Sequence, residues 1–221
     1  MMNDYQLQED VSISIAGIEL TGSLSLPQNT RGMVVFAHGS GSSRHSPRNQ
    51  FVARALQETG LGTLLFDLLT EEEEKDNAKK FEISLLTDRL VGVTQWLQNN
   101  PQTANLNIGY FGASTGAAAA LEAAAVLGVS INAVVSRGGR PDLAAHALPL
   151  IKAPTLLLVG GFDYEIITLN EQAFSLLTCE KELKIVEDAT HLFDEPGKLE
   201  EVAVHADNWF HEHLNTIRLP E

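Results

Sequence analysis

Gly112-Ala113-Ser114-Thr115-Gly116 reads G-x-S-x-G, a spacing that lets a serine occupy a turn too tight for side chains on either flank. It lies between an apolar run ending at Phe111 and the alanine-rich run Ala117 to Ala125. A strand, a turn and a helix therefore fall where exposure of a nucleophilic hydroxyl requires them. The plainer reading of such a serine is a helix cap, and the flanking pattern tips the balance toward chemistry.

A serine hydroxyl is a poor nucleophile at neutral pH and needs a base to take its proton and a third group to orient that base. His191, in Asp188-Ala189-Thr190-His191, and Asp163, in Gly160-Gly161-Phe162-Asp163, each follow a short apolar run and are the candidates for those roles. The other histidines are placed less well: His205, His211 and His213 fall in the final helical stretch, His146 in another, and His45 in a loop. His211 and His213 are two residues apart, so a helix turns their rings to different faces, and no metal site and no cofactor are expected.

Attack on a carbonyl also needs donors for the oxyanion that develops. The backbone N–H of Thr115, directly after the serine, is the first candidate. The second comes from Phe36-Ala37-His38-Gly39-Ser40-Gly41-Ser42-Ser43, whose glycines let backbone approach a substrate. There the Ser40 N–H is preferred and that of Gly41 comes next. His38 ends the preceding run, a place for a hydrogen-bonded structural histidine more than for a base.

These loops hang on a regular alternation. Val11 to Leu26 alternates apolar and polar residues on both sides of Ala16-Gly17, as an antiparallel hairpin at a sheet edge would. Six short apolar runs follow: Met33 to His38, Thr63 to Asp67, Leu106 to Gly112, Ile131 to Ser136, Pro154 to Gly161 and Leu183 to Glu187. Such runs suit strands buried on both faces of a parallel sheet. Between them stand stretches with helical spacing, such as Leu86, Leu90, Val93 and Leu97, and a last one with Leu199, Val202, Ala206, Phe210 and Leu214 on one face. The pattern predicts an α/β fold: an open, doubly wound, mostly parallel sheet of about eight strands, with chemistry at the strand carboxyl ends. The acidic run Glu71 to Glu74 reads as a solvated loop, and Trp96, Trp209 and Phe210 as core packing.

A chain of 221 residues is expected to form one domain over residues 1–221, and its 44% hydrophobic and 20% charged content is that of a globular protein. The formal net charge of −14 repels phosphate backbones and anionic lipid, which argues against nucleic-acid and membrane partners. Cys179 has no second cysteine to pair with, and Met1 to Asp10 lacks the basic end and apolar stretch of a signal peptide, so a cytoplasmic location is expected. Oligomeric state is not legible.

Taken together, His38-Gly39-Ser40-Gly41, Gly112 to Gly116, Asp163 and His191 resemble the α/β-hydrolase superfamily, and the short chain looks most like its dienelactone hydrolase branch. The order serine, aspartate, histidine along the chain matches that superfamily. The resemblance implies an α/β-hydrolase fold and a Ser114, Asp163, His191 triad. Some superfamily members place the acid after an earlier strand, where Asp142 stands. One departure is evident: dienelactone hydrolases proper use a cysteine nucleophile, whereas this elbow carries Ser114. The segment from Ser136 to Pro154 is also too short for the helical lid of many relatives, which implies an open site suited to small or polar substrates.

The activity expected is hydrolysis of a small ester or lactone through an acyl-enzyme. Acyl transfer on the same triad and a non-catalytic anion-binding module are the alternatives. Arg44, Arg48, Arg137 and Arg140 fall in two segments that follow strands. Arg44 or Arg137 is the candidate for binding a carboxylate or phosphate on the substrate, against pairing with local acids such as Asp142.

Overall fold

The computed structural model describes residues 5–214. Of the polar start, Met1 to Asp4 lie outside the described residues, and the remainder opens the first strand. That strand, β1 (Tyr5–Ile15), pairs antiparallel with β2 (Ile18–Pro27). Ala16 and Gly17 turn the chain with φ of 47° and 85°, the two positive values that match the twist of a tight hairpin.

Six strands continue the sheet: β3 (Gly32–Ala37), β4 (Gly62–Phe66), β5 (Asn107–Ala113), β6 (Ile131–Arg137), β7 (Thr155–Gly160) and β8 (Lys181–Val186). They run parallel to one another, and the spatial order is β1-β2-β4-β3-β5-β6-β7-β8. The eight-stranded sheet, its edge hairpin and its parallel remainder agree with the pattern of apolar runs.

Five helices cover the sheet: α1 (Pro47–Glu58), α2 (Ile83–Asn99), α3 (Thr115–Leu127), α4 (Tyr164–Leu176) and α5 (Lys198–Leu214). Side chains alternate across each strand and so feed two cores. Val35 and Ala37 of β3 join Leu86, Leu90, Val93 and Leu97 of α2 and the alanines of α3 on one face. Val34 and Phe36 join Val52 and Leu56 of α1 and Val202, Ala206 and Phe210 of α5 on the other. Trp209 and Phe210 are buried, as core packing requires, and Trp96 is partly buried against the first core. No helix among the described residues is long and apolar enough to cross a membrane.

The winding reverses at β3. From there the chain crosses one face through α1 to β4 on one side, then the other face through α2 to β5 on the opposite side. The loops leaving β3 and β5 therefore diverge, and a crevice opens between them at the carboxyl edge. Ser40 and Ser114 stand on those two loops.

Two sequence expectations fail locally. Glu73 is not solvated: only 13% of its side chain is exposed, and its carboxylate accepts from Arg89 Nη2 at 2.8 Å and from the Thr70 amide at 2.9 Å. It ties the loop after β4 to the body of α2. His146 lies outside any helix, between the short 3₁₀ turns Pro141–Ala144 and Leu148–Leu150, with Glu122 Oε1 at 3.3 Å.

Candidate active site

Ser114 stands between β5 and α3 with φ 51° and ψ −120°, a conformation that costs of order 1–3 kcal/mol for a residue with a side chain and persists only where its surroundings impose it. Here they do. The Ser114 amide donates to the Arg137 carbonyl at 3.2 Å, and the Ser114 carbonyl accepts from the amides of Ala117 at 3.1 Å and Arg140 at 3.2 Å. The flanking glycines are needed for space: a Cβ on Gly112 would lie 2.4 Å from Ala117 Cα, and one on Gly116 would lie 2.3 Å from the Ala37 carbonyl oxygen. The turn thus raises the hydroxyl above the sheet edge while α3 packs hard against β3 and β5.

Asp163 stands just past β7 and starts α4, and His191 stands on the loop after β8. The two loops are stitched together by the Phe162 amide donating to the Ala189 carbonyl at 2.9 Å. Asp163 Oδ2 lies 2.6 Å from His191 Nδ1. That contact makes Nδ1 the protonated nitrogen of the neutral ring and leaves Nε2 free to accept a proton. His191 packs over Gly138, where a Cβ would be 3.4 Å from Nδ1 and Cε1. Ser114 and His191 line one cavity of about 240 Å³, together with Gly39, Ser40, Arg137 and Leu192. Asp142, the other acid considered, is occupied elsewhere by a two-pronged contact with Arg140, Nε and Nη2 each at 2.8 Å. The same guanidinium holds the Asp142 carboxyl below its ordinary range.

The oxyanion candidates are neighbours. Thr115 is the first residue of α3, so its amide has no helical carbonyl behind it. The Ser40 amide donates to Thr115 Oγ1 at 2.8 Å. The serine loop and the elbow are thereby tied together, and the Ser40 N–H must share or exchange that bond to serve an oxyanion.

His38 is consumed by structure. Its Nε2 accepts from the Leu68 amide at 3.1 Å and its Nδ1 is 3.0 Å from the Gly39 carbonyl, so the neutral ring bridges the loops after β3 and β4. Burial pushes its pKa below the ordinary value, opposed by the Gly39 carbonyl and the charges of Asp67 and Glu74. The unfolded chain therefore binds this proton at a higher pH than the fold does, so His38 stabilises the fold fully above about 6.5 and loses that contribution as pH falls below it. Thermal unfolding across pH 7.5 to 5 checks this: the melting temperature of the natural chain should fall more steeply below pH 6.5 than that of His38→Gln. Parallel curves would show that the ring takes up its proton without cost.

The arginines divide. Arg44 is not brought to the cavity. Its guanidinium pairs with Asp67, its amide donates to Asp67 Oδ1 at 2.8 Å, and it lines a separate groove with Tyr5, Gln50 and Leu65. The expectation that it reaches substrate gives way to the local pairing, because Asp67, just past β4, stands beside the loop after β3 on the side away from β5. Arg137 does line the cavity, and so does Arg48, which sequence reasoning grouped with it but did not choose. Arg48 is brought there by the first turn of α1, whose cap Ser46 accepts from the Asn49 amide.

A larger cleft of about 610 Å³ adjoins along Ser42 and Ser46 and runs to Glu71, Glu74 and Lys80. Among the described residues, one group of side chains of metal-ligand type comes together, Glu180, Glu212 and His213; its exposed carboxylates stand near the amino end of β8, away from the carboxyl edge that carries Ser114, and the group is empty.

Comparison with known proteins agrees with this architecture. Residues 20–218 match the model of the dienelactone hydrolase family. A crystal structure of a dienelactone hydrolase from Anabaena variabilis is 54% identical, covers 94% of this chain and 98% of its own, and superposes with a TM-score of 0.92. The esterase Est1E from Butyrivibrio proteoclasticus, with ferulic acid bound, shares the fold at 16% identity and a TM-score of 0.79, over 92% of this chain and 98% of its own. Proteins from two strains of Mycobacterium tuberculosis, provisionally named phosphoribosyl transferases, are 54% identical over 206 residues. Those residues are 93% of this chain, which spans 46% of the length of these relatives. With this match over most of its length, the chain belongs to the dienelactone hydrolase family.

Proposed function

We propose that the protein is a serine hydrolase that cleaves a small ester or lactone through an acyl-enzyme at Ser114. The observation that carries this reading is the 2.6 Å contact between Asp163 and His191 on the rim of a cavity that also receives the strained Ser114. His191 Nε2 takes the proton of Ser114 Oγ as the oxygen attacks the carbonyl carbon, and Asp163 compensates the imidazolium that forms. The oxyanion is held by the Thr115 amide and, on release from the Thr115 hydroxyl, by the Ser40 amide. Collapse of the tetrahedral intermediate expels the alcohol, which takes the proton back from His191. Water then enters, its oxygen bonds to the acyl carbon as its proton passes to the same nitrogen, and His191 returns that proton to Ser114 Oγ as the ester bond to the serine breaks and the acid leaves. A lactone follows the same course and leaves one hydroxy acid.

The cavity of about 240 Å³ fits a compact group next to Ser114, and the adjoining cleft of about 610 Å³ leaves room for the remainder of a substrate. The phosphoribosyl-transferase name belongs to relatives of more than twice the matched length, and a strained serine beside an imidazole–carboxylate pair is equipment for acyl chemistry. Activity-based labelling tests the reading. A fluorophosphonate probe should label the natural chain, the labelled peptide should contain Ser114, and Ser114→Ala should take no label and hydrolyse no p-nitrophenyl ester. Labelling at another residue, or unchanged hydrolysis by Ser114→Ala, would overturn it. Addition of an alcohol acceptor to the same assay separates hydrolysis from acyl transfer by the product formed.

A further inference from the structure

Asn49 puts a polar atom with nothing to bond on the wall of the catalytic cavity. The residue is 2% exposed and lies on the inward face of α1, where it lines the same 240 Å³ cavity as Ser114, Ser40 and His191. Its Oδ1 is buried and has no hydrogen-bond partner among the described residues. Its place in the helix would ordinarily supply one. Asn49 is the third residue of α1, from which a side chain can reach back to the amide of the cap residue. That amide, on Ser46, already donates to the Ser43 carbonyl at 3.0 Å, and the Ser46 hydroxyl accepts from the Asn49 amide at 3.3 Å. The turn is complete without Asn49 Oδ1.

A buried acceptor without a partner has lost its hydration and gained nothing in exchange, so it calls for a functional reason such as a ligand that completes it. A side-chain carbonyl oxygen only accepts, and its complement must therefore bring a proton. An ionised carboxylate brings none and would face Oδ1 acceptor against acceptor. An ammonium brings one but is repelled by the guanidinium groups of Arg48 and Arg137, which line the same cavity. A neutral donor remains, and on a small ester or lactone that donor is a hydroxyl. Asn49 does not line the wider cleft that adjoins along Ser42 and Ser46, so the hydroxyl belongs to the portion of the substrate held in the compact cavity. With the cleft left for the alcohol, that portion is the acyl group.

We infer that Asn49 is a specificity-determining residue whose Oδ1 accepts a hydrogen bond from a hydroxyl on the acyl portion of the substrate, so that hydroxy-acyl esters and hydroxylated lactones are cleaved in preference to their counterparts without the hydroxyl. This rests on the hydrolase reading for the reaction, while binding to Asn49 is measurable without turnover. Discrimination comes from the protein side: a substrate lacking the hydroxyl closes the cavity over an Oδ1 that still has no donor, and the site loses what the right substrate would have supplied.

Hydrolysis of ethyl 2-hydroxybutyrate and ethyl 3-hydroxybutyrate, each against ethyl butyrate, reads the preference as a ratio of kcat/KM values. The natural chain should favour one of the two hydroxy esters by on the order of 10- to 100-fold, and Asn49→Leu, which keeps the branching but removes the acceptor, should bring that ratio to within about 3-fold of unity. Gln50→Leu, whose amide belongs to the separate groove beside Arg44 and Arg54, should leave the ratio where it was. Should the added methyl groups keep Asn49→Leu from folding, Asn49→Ala removes the acceptor without bulk and is read by the same ratio. Apart from turnover, NMR titration of the preferred hydroxy ester into the Ser114→Ala protein should show binding that Asn49→Leu weakens about 10-fold. A ratio unmoved by loss of Asn49, or a hydroxyl effect seen only with 2-hydroxyethyl butyrate, where the hydroxyl sits on the alcohol, would overturn the inference even if Ser114 labels as expected. Absence of labelling at Ser114 together with binding that depends on Asn49 would instead overturn the hydrolase reading.

Discussion

Asp163→Asn should lower kcat for ester hydrolysis about 10⁴-fold while KM and thermal stability change little. The reasoning starts from the ring. Asp163 Oδ2 can only accept from His191 Nδ1, so the carboxylate selects the tautomer whose Nε2 faces the cavity with a lone pair. An asparagine is nearly the same size, but its amide nitrogen can donate to Nδ1 and stabilise the opposite tautomer, which presents an N–H toward Ser114. It also cannot compensate the imidazolium formed during attack. Stability should hold because Asp163 starts α4 without a side-chain capping bond, so the helix loses none in the exchange. Single-turnover kinetics with a p-nitrophenyl ester measures the effect at the chemical step. A loss smaller than tenfold would mean that another group orients the ring, and Asp163 would lose its role.

The fold was readable because burial on both faces leaves a local mark. Continuous apolar runs such as Thr155–Gly160 can only be central strands here, and the two-residue alternation of the hairpin breaks where Ala16 and Gly17 turn it. The elbow was readable for the same reason, since Gly112 and Gly116 are demanded by contacts within a few residues of Ser114 or with the adjacent strand. Long-range side-chain partners left no such mark. Nothing near Arg44 announces Asp67, nothing near Glu73 announces Arg89, and the bond from the Ser40 amide to Thr115 Oγ1 joins loops 75 residues apart. Arg48 was seen as part of a basic cluster, but its arrival beside Ser114 depends on the angle at which α1 leaves the loop after β3. Charge pairing thus decided which arginines reach the site, and pairing is a property of the folded surface.

Gly116→Ala carries the largest structural effect. Alanine is the better helix former by about 1 kcal/mol, so at an unencumbered position in the first turn of α3 it would stabilise. Gly116 is not unencumbered: the added carbon would sit 2.3 Å from the Ala37 carbonyl oxygen and 2.4 Å from that of His38. Both are backbone atoms at the end of the central strand β3, and neither can swing aside as a flexible side chain could. The helix must back away from the strand, at a cost of about 3 kcal/mol, which for a chain of this size lowers the melting temperature by roughly 6–12 °C. The same displacement separates the Thr115 hydroxyl from the Ser40 amide and moves the Thr115 amide away from the oxyanion. Esterase activity should therefore fall at least about 100-fold even at temperatures where the variant is folded. Gly41→Ala is the contrast: that glycine has φ 71° and open space around it, so only the backbone conformation is penalised, by about 1 kcal/mol. If Gly116→Ala melted at or above the natural temperature, the close contact of α3 with β3 would not exist. The strain at Ser114 would then lack the packing that imposes it.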